Sequence, residues 1–124
     1  RREELGRRDG QACAEWPLQT QLAPASGEVH AGHLYTVLVN EAAAGLHRDA
    51  FQQHLHELNI GTGIHYIAVH LQPYYAQKWG YQRGDFPQAE FVSDRTLSLP
   101  LGVNMSDGDV EDVIEGVGRL LQSA

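Results

Sequence analysis

Several things are scarce in this chain, and each scarcity excludes something. Its 124 residues hold a single cysteine, Cys13, so no disulfide can close within the chain. A reducing, cytoplasmic setting is therefore the expectation. Basic residues are few: nine Lys and Arg against sixteen Asp and Glu leave a formal net charge of −7. A nucleic-acid surface needs the opposite balance. The cluster Arg1, Arg2, Arg7 and Arg8 reads as a solvated helix face rather than a phosphate-binding arm. No apolar run approaches the ~20 residues of a membrane span. The opening Arg1-Arg2-Glu3-Glu4 is followed by no apolar segment of a signal peptide. Neither a Gly-rich phosphate loop nor a Gly-x-Ser-x-Gly nucleophile elbow is present.

Length and composition suit one domain. Residues 1–32 read as a helix-and-loop lead-in and 33–122 as the core. Pro17 ends the first helical segment, and residues 17–32 read as loop. His33 to Asn40 is β-branched and aromatic, which predicts a buried strand. Ala42 to Gly45 reads as loop. Over Arg48 to Leu58, Phe51, Leu55 and Leu58 recur on one helical face, with Asn59 and Gly61 as the stop. Ile60 to Val69 reads as a second strand. Pro73 opens a short helix, Tyr81 to Glu90 reads as a polar loop, and Thr96 to Leu101 as a strand stopped at Pro100. Ser106 opens a final helix whose stripe is Val110, Val113, Ile114, Val117, Leu120 and Leu121. This order predicts an α+β fold, a small, mainly antiparallel sheet covered by helices.

Seven histidines invite a metal hypothesis, but none pair at i, i+4 on a helix and no cysteine ligand set exists. His47, His54 and His56 read as solvated or hydrogen-bonded. The run Gly61-Thr-Gly-Ile-His-Tyr66, with His70, differs. It follows two glycines where a strand leaves the sheet, and imidazole and phenol are directional donors suited to phosphate, hydroxyl or carbonyl groups. The alternative is structural: Tyr66 filling the core rim and His70 satisfying a buried backbone group. Asp85, Glu90 and Asp94 read as solvated charge. Lys78 is the sole lysine, and nothing in the sequence around it would desolvate it.

Several runs occur in order: His33-Leu-Tyr-Thr-Val-Leu38, Arg48-Asp-Ala-Phe51, Gly61-Thr-Gly-Ile-His-Tyr66, His70, Gln72-Pro-Tyr-Tyr75, Gly84-Asp-Phe-Pro87-Gln-Ala-Glu90 and Leu97-Ser-Leu-Pro-Leu101. Together they resemble the C-terminal part of the DegT family of pyridoxal-phosphate-dependent nucleotide-sugar aminotransferases. The resemblance covers residues 30–122. It implies the small C-terminal domain of the type I aminotransferase fold, with the large cofactor domain and its Schiff-base lysine missing. It gives Lys78 no cofactor role and the chain no catalytic residue or metal. It makes His65 and Tyr66, and with less weight His70, the substrate-binding candidates. Pyridoxal phosphate would belong to the complete enzyme, which it implies is a homo-oligomer. The sequence departs from the pattern at Ala68, where relatives often carry Pro. A free-standing binding module derived from the same domain is the rival reading.

Overall fold

The computed structural model describes residues 16–122. The expected N-terminal helix, the arginine cluster and Cys13 lie outside the described residues.

The branched run Tyr-Thr-Val-Leu-Val forms strand β2, Tyr35–Val39. It is the middle of a three-stranded antiparallel sheet, between β1 (Leu18–Gln19) and β3 (Thr96–Leu99). Val37 pairs with Leu97, and Thr36 with Ser98. Because successive side chains alternate, Val37, Val39, Leu97 and Leu99 share one face, and Thr36 and Ser98 the other. β1 corrects the reading of 17–32 as loop throughout: Leu18 pairs with Val39 and joins the core. Two residues are too few to show an alternating pattern.

Helix α1 (Glu41–Ala44) is a single turn where a loop was expected, ended by Gly45 at φ 69°. Helix α2 (Arg48–Glu57) is capped by His47, whose Nδ1 accepts from the Asp49 amide at 3.2 Å. Asn59, in the left-handed region at φ 61°, ends it, and the Ile60 amide returns to the Leu55 carbonyl. Helix α3 (Pro73–Trp79) starts on Pro73 and stops at Gly80, φ 72°. Helix α4 (Pro87–Arg95) was expected to be polar loop up to Glu90; Pro87 starts it, and it runs directly into β3. Helix α5 (Asp107–Gln122) opens on a reciprocal cap: Ser106 Oγ accepts from the Asp109 amide at 3.1 Å, and Asp109 accepts from the Ser106 amide at 2.7 Å. The Ser106 hydroxyl, which donates to Asp109 Oδ2 at 2.7 Å, and then the Ser106 amide hold the Asp109 carboxyl below its usual range.

Phe51 and Leu55 of α2, Val113 and Val117 of α5, and the apolar sheet face form one core. Ile114 of the expected stripe is only half-buried. Gly116 lets α5 approach closely, since a Cβ there would overlap Ile60 Cδ1. The expected α+β fold is the one observed. The expected strand 60–69 is not: only Gly63 pairs with the sheet, in an isolated bridge to Ser98. Beyond it the chain leaves the sheet and enters a short 3-10 turn, Val69–Leu71. No helix among the described residues is long and apolar enough to cross a membrane.

Candidate functional site

The Gly61 to Leu71 segment is tied at four points to the continuous α4–β3 unit. First, Gly63 and Ser98 exchange backbone hydrogen bonds, at 3.1 and 2.7 Å. Second, His65 Nδ1 lies 2.8 Å from Ser98 Oγ. Third, the Ala68 amide donates to the buried Ser93 Oγ at 2.9 Å. Fourth, His70 Nε2 meets Glu90 Oε1 at 2.9 Å, with both side chains buried.

The structure keeps the three expected residues on one segment but gives them different surroundings. Tyr66 is 74% exposed, so it does not fill the core rim. Its ring stands nearly perpendicular to the His65 ring, centroids 4.9 Å apart. His65 is half-buried. His70 is buried, packs against Phe86 at 4.8 Å, and hydrogen-bonds the Glu90 carboxylate rather than a backbone group.

Glu90 was read as solvated charge and is instead a buried junction. Its Oε1 also accepts from the amides of Gly84, at 2.8 Å, and Phe86, at 3.4 Å. Gly84 sits at φ 102°, a conformation that suits glycine and aims its amide at the carboxylate. Burial pushes the Glu90 carboxyl up, but the donors from Gly84, His70 and Phe86 outweigh it and leave it below the usual range. Asp94, also read as solvated, takes a two-pronged ion pair from Arg83 at 2.7 and 3.2 Å, and that pairing lowers its carboxyl. Asp85 accepts from the Gln82 amide. Arg48 is buried, and its Nη1 donates to the carbonyls of Ser93 and Thr96, satisfying the end of α4.

Ala68 gains a physical meaning here. Its φ of −53° and ψ of 128° would admit proline, but proline has no amide proton for Ser93. This chain fixes by a hydrogen bond what a ring would fix covalently.

Lys78 is exposed but not isolated. Its Nζ donates to Tyr74 Oη at 3.0 Å and lies 4.8 Å over the Trp79 ring. Tyr74, Tyr75, Trp79, Tyr81 and Phe86 make consecutive ring contacts. Among the described residues no three His, Cys, Asp or Glu side chains converge to hold a metal. His56 binds Thr62.

Ser98, Ser93 and Glu90 were missed in the sequence. Ser98 had a visible signal, as a polar residue between two leucines. Glu90 and Ser93, three apart, become visible only once α4 is recognised as a helix.

Comparison with known proteins agrees with this architecture. Residues 1–118 match the model of the DegT/DnrJ/EryC1/StrS aminotransferase family. The chain is 45% identical, over all its length, to 32% of the spore coat polysaccharide biosynthesis protein SpsC of Bacillus subtilis. Among solved structures it is similar to DesV of S. venezuelae, in complex with a ketimine intermediate, at TM-score 0.84 and 30% identity, covering 98% of this chain and 31% of that one. The aminotransferase TlmJ of Streptoalloteichus hindustanus gives TM-score 0.83 and 28% identity, with 98% and 31% covered. The chain belongs to the DegT/DnrJ/EryC1/StrS aminotransferase family. It spans about a third of the length of these relatives.

Proposed function

We propose that this chain forms the C-terminal small domain of a pyridoxal-phosphate-dependent nucleotide-sugar aminotransferase, and that His65 and Tyr66 hold the nucleotide-sugar. One observation carries the reading. The segment bearing them is fixed at Gly63, His65, Ala68 and His70, yet it leaves the Tyr66 ring in solvent and the His65 ring half-buried. Fixed, outward-facing donors lose little freedom on binding. His70 supports the site through the segment's shape, since its Nε2 is committed to Glu90.

The family uses pyridoxal phosphate, but the described residues do not build a site for it. Lys78 stands at the surface on tyrosine and tryptophan rings, without the burial or cationic neighbour that activates a Schiff-base lysine. No chemical step is therefore assigned to this chain. The cofactor, amino transfer and assembly into a homo-oligomer belong, in this reading, to the longer protein. A large domain would cover the exposed Ile67, Val69 and Trp79.

The test is calorimetry on the full-length protein with thymidine and uridine diphosphates and a nucleotide-sugar. His65→Gln should weaken binding about tenfold or more, the loss of one hydrogen bond to a charged group. His54→Ala, on the exposed side of α2, should bind like the parent. The reverse pattern would put the site on another element.

A further inference from the structure

His65 is held on several sides by this chain's own atoms. Ser98 Oγ is 2.8 Å from its Nδ1. The Tyr66 ring stands nearly perpendicular to it. Beneath it is Gly63, where an added Cβ would stand 2.8 Å from Cε1 of the imidazole. That glycine has no positive φ to explain it. What it supplies is room for the ring.

The direction of the Ser98 hydrogen bond follows from burial. Ser98 is 5% exposed, and its hydroxyl has no other partner among the described residues. If Nδ1 carried the proton and donated, the serine hydrogen would be buried without an acceptor, which costs stability. Donation from the hydroxyl to Nδ1 leaves nothing unpaired. The imidazole proton then sits on Nε2, which has no partner among the described residues.

We infer that Ser98 and Gly63 are positioning residues for His65. The serine hydroxyl selects the tautomer protonated on Nε2, the bare Cα of Gly63 seats the ring, and His65 thereby offers a donor to an anionic oxygen such as a diphosphate. The tautomer claim stands on the geometry alone. Only the ligand class rests on the proposed nucleotide-sugar site.

The experiment is a long-range proton–nitrogen correlation of the histidine rings in the full-length protein, recorded well above the free imidazole pKa of about 6.5. His65→Gln identifies the signal by its loss. The parent should show Nε2 protonated and Nδ1 bare. Ser98→Ala should relax this toward the mixture of free imidazole, and Ser98→Thr, which keeps the hydroxyl, should restore it. Gly63→Ala should disturb the signal while the rest of the spectrum stays folded. Ser93→Ala, which removes a structural tie without touching the ring, should leave the tautomer unchanged. Thymidine diphosphate affinity should fall about tenfold in Ser98→Ala and in His65→Gln, with no further fall in the double variant.

A parent ring protonated on Nδ1, or a tautomer indifferent to Ser98→Ala, overturns the inference. If the tautomer responds as described but His65→Gln leaves affinity unchanged, positioning stands and the nucleotide-sugar reading falls.

Discussion

Two segments are held to the rest of the domain by different physics. Helix α5 is attached by apolar packing: Val113 and Val117 enter the core with Phe51 and Leu55, and Gly116 brings the helix in close. The segment 61–71 is attached by hydrogen bonds to Ser98, Ser93 and Glu90. Apolar contact is non-directional and roughly proportional to area, so it fixes where a helix lies more firmly than how a given side chain points. A hydrogen bond is directional and fixes the orientation of an imidazole or an amide. The core region supplies stability, and the polar region supplies aim.

Three substitutions probe that division, from the largest effect to the smallest. Phe51 is fully buried, so Phe51→Ala should cost about 3–5 kcal/mol in a denaturant titration. If the loss is below about 1 kcal/mol, α2 is not part of the cooperative core.

Glu90→Gln should cost less and should change the pH dependence. Because the folded-state carboxyl lies below its usual range, its stabilisation is complete above the unfolded value, about 4.3, and is lost as the pH falls through the lower folded value. Parent and variant should therefore differ by a constant amount above pH ~5 and converge in acid. His70, Arg83 and the Gly84 and Phe86 amides all face this carboxylate and set the size of the gap. A gap that widens in acid would mean the carboxyl is raised, not lowered.

The smallest effect concerns Ala68. Ala68→Pro suits the backbone but strips the amide from Ser93, leaving a buried hydroxyl unpaired. The single variant should lose about 1 kcal/mol, partly offset by a stiffer unfolded chain. Adding Ser93→Ala should recover part of that loss. Strict additivity in the double-mutant cycle would show that the hydrogen bond contributes nothing.

The same division explains what could be read from the sequence. β2, α2 and α5 announce themselves because their inward faces are apolar and periodic. Ser106 with Asp109 announces the start of α5. Helix α4 escaped because its buried residues are Glu90 and Ser93, and a search for apolar stripes passes over a polar inward face. The 60–69 strand was over-read because its composition suits a sheet, but composition does not say that pairing stops after Gly63. His65 and Tyr66 stand out in the sequence by their chemical character and became candidates through the family resemblance. Their anchor at Ser98 lies 33 residues away and is visible only in three dimensions.

Helix α4 ends at Arg95 and β3 begins at Thr96, with no connecting residue between them. Glu90, Ser93 and Ser98 are thus graduations on one ruler. An insertion or deletion between Ser93 and Ser98 could not be absorbed by a turn. A single-residue slip would rotate the strand's side chains to the other face and point position 98 away from His65. The helix end would still hold Ala68 and His70. Descendants of this sequence can vary the exposed Tyr66 freely, but the spacing from Ser93 to Ser98 is the length along which they cannot drift.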